Sequence, residues 1–443
     1  MTAQRISAGV LWAYSLPAAA VQFTYLLFTI FYVNYGTDVL LLAPWLMGLL
    51  FSLTRIWDAV SDPVAGYLSD RTQSRFGRRR SWMFAAAIPL GLAYMALWNP
   101  PLALGATGTA VWVGVALFLY STSFTAFLMP HEAMGAELTT SYHERTRLFG
   151  LKHLVFTLGS FGALGVMYVF TTAEDIRAAA FTATAMGGVM VAVVIVLSVR
   201  RLKERADFQG RGSTNLIRAF GDVWRNRHAR LLLFVFGIEN LGTASVALLT
   251  PYVMKYIVKA PEATVPMLLA YFVPNLLFPY VWIRVSRHTG KKRLWLVAMS
   301  VMTLGFAGLF FVGEGTVLYM MGCSAVLGIG WSCGAVLAPS VKSDVIDYDD
   351  LQTGERKEGA YFAVWNLVRK SAMGIVAIIT GFALQLADYT PNVEQSEQVI
   401  WTMRVLFSGV PTMFYILGIL FFIRYSLNES EHRDIVERLK ARG

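Results

Sequence analysis

Apolar segments of about twenty residues recur along the whole chain, the length a helix needs to cross a hydrocarbon core about 30 Å thick. They fall at about 10–35, 44–68, 82–98 and 109–134, then in two segments that end near Glu174 and Val199, then at about 229–258, 265–285, 294–313, 316–340, 359–386 and 400–425. Proline and glycine interrupt many of them, which a lipid-embedded bundle tolerates where neighbouring helices or water satisfy the freed backbone groups. The pattern predicts an all-α polytopic membrane protein with twelve transmembrane helices.

The polar stretches between these segments alternate in charge. Arg71, Arg75, Arg78, Arg79 and Arg80 follow the second segment, NPPLALGATG after the third carries no charge, and Arg145, Arg147 and Lys152 follow the fourth. Lys and Arg collect in cytoplasmic loops, so this alternation places both termini in the cytoplasm. Residues 200–228 form an arginine-rich connection, which divides the chain into a first bundle (1–199), a linker (200–228), a second bundle (229–426) and a polar tail (427–443). The loop YLSDRTQSRFGRRR after the second segment has a counterpart, WIRVSRHTGKKR, after the eighth. Each puts a glycine before a basic cluster at the same place in its half, as expected of two pseudo-symmetric six-helix bundles built as a parallel repeat.

Composition narrows the class without changing it. With 56% hydrophobic and 15% charged residues, the chain is too apolar for disorder and suits a bilayer better than a soluble globule. Its formal charge of +10 sits in the loops, so it reads as a topology signal and not as a nucleic-acid surface. Cys323 and Cys333 lie ten residues apart in one apolar segment, too far along a helix to form a disulfide. The first segment follows Arg5 without a small-residue cleavage site, so it is expected to be a retained helix and not a signal peptide.

Charges inside apolar segments are the candidate chemistry, because a charge at membrane depth is costly and marks ion pathways or relays. Asp58 and Asp62 are four residues apart in the second segment, on one face of a helix, and together offer oxygens to a small hard cation. Pro63 leaves the Ala59 carbonyl without its helical donor. The bland alternative is that Arg55, three residues before Asp58, pairs with it and holds helices together. In the eleventh segment Tyr361, Trp365, Asn366 and Lys370 share a broad face, an aromatic surface beside hydrogen-bonding groups of the kind a sugar ring requires. Packing aromatics would look the same. Glu239 and Asn240 lie deep in the seventh segment. His131 and Glu132 follow Pro130 in the fourth, facing either a cavity or Arg145 and Lys152.

Three stretches carry a family resemblance: RIWDAVSDPVAGYLSDRTQSRFGRRRSW, AELTTSYHERTRLFG and SDVIDYDDLQTGERKEGAYFAVWNLVRK. Together they resemble the glycoside, pentoside and hexuronide to cation symporters of the major facilitator superfamily. The resemblance implies a major facilitator fold with a substrate site between the halves, and gives Asp58 and Asp62 the coupling cation, sodium or proton, with Ser61 and Thr125 completing an oxygen shell. It puts Lys370 between cation and sugar, with Trp365, Asn366 and Tyr361 beside it. Gln22 and Leu128 stand where galactoside carriers of the family hold aspartates, and Lys152 or His153 stands near an arginine on the cytoplasmic side of the sugar pocket. A charged cytoplasmic gate is implied at Asp70, Arg71, Arg78, Glu137, Arg145, Asp344, Asp347, Arg356 and Glu358.

The expected function is cation-coupled uptake of a sugar or glycoside across the inner membrane, by a protein that works as a monomer with no cofactor and no metal beyond the transported ion. The loss of the two aspartates leaves open an amphiphilic cargo such as a lysolipid. A non-transporting sensor would need a signalling domain, and the tail is short. No Walker loop, metal-spaced His and Cys set or GxSxG elbow points to an enzyme.

Overall fold

The computed structural model describes residues 6–138, 142–204, 221, 223–353, 358–427, 431, 434–435 and 437–438. Among them every regular element is helical, and the chain divides into two compact units, Met1–Ser213 and Thr214–Gly443. The first unit holds α1 (Ala8–Asp38), α2 (Pro44–Arg71), α3 (Arg78–Trp98), α4 (Ala106–Glu137), α5 (Tyr142–Thr172) and α6 (Ile176–Arg201). The second holds α7 (Arg227–Tyr256), α8 (Thr264–Leu277), α9 (Pro279–Thr289), α10 (Lys291–Leu309), α11 (Val317–Thr353), α12 (Glu358–Leu386), α13 (Glu397–Arg404) and α14 (Val410–Phe422).

Eleven helices among the described residues are long and apolar enough to cross a membrane, α8 running on into α9 as one span and α13 into α14 as another. Helix α2 makes the twelfth: at 28 residues it is long enough, but Arg55, Asp58 and Asp62 lower its hydropathy. The eighth span breaks at Phe278 because Pro279 has no N–H to continue the ladder. Between α13 and α14 a single π turn, Val405–Gly409, is supported from outside: Ser245 Oγ donates to the Leu406 carbonyl, and Ser408 Oγ donates to the Phe306 carbonyl. Helix α11 runs 13 residues beyond the expected end at 340, through DVIDYDD. The apolar pattern stops at the membrane boundary, whereas a helix leaving lipid continues as long as its backbone bonds are satisfied.

The two units are built alike. In the first, α1 packs on α5 and α6, α3 on α4 and α6, and α2 on α4. In the second, α7 packs on α12 and α14, α10 on α11 and α14, and α8 on α11, so each pairing recurs six spans later. Small residues allow the close crossings: a Cβ on Gly188 of α6 would lie 2.6 Å from the Gly91 carbonyl oxygen of α3. The repeated loops match in conformation as well. Gly77 and Gly290 each precede the third span of a unit with φ of +99° and +77°, a region that favours glycine.

Candidate functional site

Helices α2 and α4 pair their polar faces in register. Thr125 Oγ1 donates to Asp62 Oδ1 at 2.7 Å, and one turn earlier Ser121 Oγ donates to Asp58 Oδ1. Both contacts span 63 residues of sequence. Side chains four apart on each helix therefore meet as two successive rungs, because a four-residue step is about one turn on both. Between the carboxylates Ser61 is buried, and its Oγ has no hydrogen-bond partner among the described residues. The outer face of the same interface is fixed by Trp57 Nε1 donating to Thr122 Oγ1 at 2.9 Å.

Asp58 also accepts a 3.0 Å hydrogen bond from Arg55 Nη1, and both are almost fully buried. The guanidinium lies against two aromatic faces, 5.1 Å from the Phe28 ring centre and 4.8 Å from that of Phe51. The pairing that a purely structural role requires is thus present, alongside hydroxyls that such a role does not require. The cluster can offer two carboxylates and three hydroxyls to a hard cation, the ligand chemistry such ions prefer. Ser121 was missed in the sequence. Its signal was present: a hydroxyl four residues before Thr125, matching the spacing of the acids.

In the second unit a cavity of about 250 Å³ opens among α7, α10, α11, α12 and α14. Glu239 reaches it from α7 and is buried, its Oε1 accepting from Trp295 Nε1 at 3.1 Å. Lys342 of α11 and Arg369 of α12 line the same space, with Trp331 and Tyr415. Sequence reasoning missed Lys342 because the tenth apolar segment ends just before it. Tyr361 and Trp365 are buried and stack at 5.9 Å, and Tyr361 Oη accepts from Asn226 Nδ2 at 2.8 Å. Lys370 is buried on the same helix, Asn366 is exposed, and it is Arg369 and not Lys370 that lines the cavity.

The chain matches the family described as MFS/sugar transport protein over residues 13–429. It belongs to that family. This transporter is 25% identical to the putative glycoside/cation symporter YagG of Escherichia coli (strain K12), over 95% of its own length and 92% of the relative's. It is 24% identical to the isoprimeverose transporter of Lactiplantibacillus pentosus, over 96% and 90%. Among solved structures it is similar in fold to a D-xylose-proton symporter, with a TM-score of 0.71 at 14% identity, covering 95% of this chain and 98% of that one. The major facilitator fold and a transporter's function, not an enzyme's, follow for this chain.

The remaining sequence candidates of the transporter fall in separate places. Gln22 Nε2 donates to Ser160 Oγ at 3.1 Å between α1 and α5. Lys152 pairs with Glu132 and lies over the Tyr14 ring at 5.9 Å, while His153 is exposed and stacks on Phe156 at 6.4 Å. His131 is packed away, its Nε2 2.8 Å from the Tyr14 carbonyl and its ring stacked on Tyr14 and Phe127. Where α3 begins and α4 ends, Arg78 and Arg79 both donate to Glu137 Oε1, at 2.6 and 2.8 Å. In the other unit Lys291 Nζ meets Asp344 Oδ2 at 2.6 Å. These are equivalent bridges, from the start of the third span of a unit to the C-terminal part of the helix that forms its fourth. Arg71 is exposed over the Tyr67 ring at 4.2 Å, and Asp347 is half-buried. Arg356 and the side chains of Asp70, Arg145 and Glu358 lie outside the described residues.

Proposed function

We propose that this transporter couples the entry of one small cation, sodium or proton, to uptake of a sugar or glycoside across the inner membrane by alternating access. The observation that carries the reading is the two-rung register of Asp58 with Ser121 and Asp62 with Thr125, because oxygen ligands on facing helices suit a hard cation and a buried Asp58 beside a half-buried Asp62 inside a span is otherwise costly. A sugar cargo is supported by relatives named as glycoside/cation and isoprimeverose carriers. In this reading the cation binds at Asp58, Ser61, Asp62 and Thr125, with Lys370, Trp365, Tyr361, Asn366, Glu239, Gln22, Lys152 and His153 assigned to cargo and coupling.

Asp70, Arg71, Arg78, Glu137, Arg145, Asp344, Asp347, Arg356 and Glu358 act as a cytoplasmic gate, and the bridges of Arg78 with Glu137 and of Asp344 with Lys291, each within one unit, position its charges. A latch that opens in every cycle must be worth only a few kcal/mol, so that ligand binding can shift the populations. The bundles 1–199 and 229–426, joined by 200–228, form one functional monomer with both termini cytoplasmic.

Uptake of radiolabelled isoprimeverose and of aryl glycosides into inverted and right-side-out vesicles, under imposed sodium or proton gradients, tests the reading. Gradient-dependent accumulation that Asp62→Asn abolishes is the expected result. Accumulation indifferent to both gradients, or unchanged in Asp62→Asn, would remove the coupling role. Substrate-induced pH changes in vesicles, measured with and without sodium, identify the ion.

A further inference from the structure

The geometry points to an anion subsite in the second unit: Lys342 and Arg369 receive one carboxylate or sulfonate group of the cargo. This rests on the transport reading above and names the charge class of what is carried. Among the described residues neither cation has a hydrogen-bond or ion-pair partner, and Lys342 Nζ is held only by aromatic faces, 4.6 Å from the Phe236 ring centre and 5.2 Å from that of Trp365. Among the described residues the single carboxylate that lines the cavity, Glu239, accepts a hydrogen bond from Trp295 Nε1.

Two cations against one carboxylate leave the cavity with one uncompensated positive charge. Water compensates such a charge poorly in a space of about 250 Å³ walled by Trp295, Trp331, Met299, Met302 and Tyr415. Lys342 and Arg369 are both half-buried, and charges withdrawn from water are favoured when matched by another charge, so a monoanionic ligand brings the site to neutrality and a neutral sugar does not. The guanidinium of Arg369 offers a planar fork that suits a carboxylate or sulfonate, and Lys342 adds a point charge on a flexible stem. The indoles and Tyr415 provide the apolar surface on which the C–H face of a sugar or polyol body rests. Glu239 sets the upper limit, because a second negative charge on the ligand would be left without a partner.

Trp295 and Trp331 report on the cavity, so binding is read as fluorescence quenching of the purified full-length protein. The probes are methyl β-D-glucuronide and methyl β-D-glucoside, which differ only by carboxylate against hydroxymethyl at one carbon, and isethionate for the sulfonate. The expected result is that at least one of the two anions binds about tenfold or more tightly than the glucoside, the scale of a charged hydrogen bond. That preference is lost in Lys342→Gln and Arg369→Gln and kept in Lys342→Arg, which controls for folding. Equal or tighter binding of the glucoside, no binding of either anion, or an anion preference that survives both glutamine substitutions would overturn the subsite. Glucoside binding with gradient-driven uptake would leave the transport reading standing without it. Anion binding with no gradient-driven accumulation would do the reverse.

Discussion

Thr125 Oγ1 donates to Asp62 Oδ1 at 2.7 Å, one helical turn beyond the point where Ser121 meets Asp58. Each acid of α2 therefore has its own hydroxyl on α4, and what a cation gains from either acid depends on the crossing of those two helices.

Substitutions on the two sides of this contact should separate. Asp62→Asn is expected to abolish cation-driven accumulation while leaving cargo exchange down its own gradient. Thr125→Val keeps the carboxylate but removes a charged hydrogen bond worth about 1.5–3 kcal/mol, so the half-saturating cation concentration should rise about tenfold or more. Initial uptake rates against sodium concentration and against pH measure both.

Arg55 sits 3.0 Å from Asp58 as a resident counter-charge and competes with any cation for that carboxylate. Arg55→Gln should tighten cation binding about tenfold or more, since a unit charge at this range is worth several kcal/mol even when partly screened. Transport should slow at the release step. Ion titration of intrinsic fluorescence, compared with turnover, checks the sign; unchanged affinity would mean that Arg55 only supports packing.

Glu204 is the acceptor for the start of α3: its carboxylate takes the backbone N–H groups of Arg78, Arg79 and Arg80 at 3.0, 2.9 and 2.8 Å. A negative side chain at a helix N-terminus both caps it and complements its dipole. Glu204→Ala is expected to cost about 1–2 kcal/mol, on the scale of a lost cap, and Glu204→Gln less. Thermal unfolding of the purified protein would show both shifts.

Lys259 bridges Glu314 at 3.0 Å and Glu394 at 3.3 Å in a loop of the second unit. The hydrogen bond to Glu314, then that to Glu394, raises its pKa above the ordinary 10.5. A group whose folded pKa is raised stabilises below its unfolded pKa, and that stability is lost as pH rises through the folded value. Lys259→Met should therefore lower the unfolding temperature slightly at neutral pH and make no difference above the raised value. In about 1 M salt the difference should shrink as well, because exposed pairs are screened. Melting curves across pH and salt decide it.

The sequence by itself determined the twelve spans, the acid pair and the repeated glycine before each basic cluster. These depend on hydropathy, helical period and backbone freedom, all of which act within a few residues. It also marked Asp62 with Thr125 through resemblance, and Glu239 through its depth in a span. Only the tertiary structure decided that Ser121 is the partner of Asp58, that Glu204 reaches back to cap α3, and that Glu239, Lys342 and Arg369 line one cavity from three helices. It also separated Arg369 from its neighbour Lys370, which one-dimensional reading ranked the other way. Adjacent residues on a helix point about 100° apart, and which of them faces a cavity depends on the rotation at which the helix packs, a long-range property that no local pattern records.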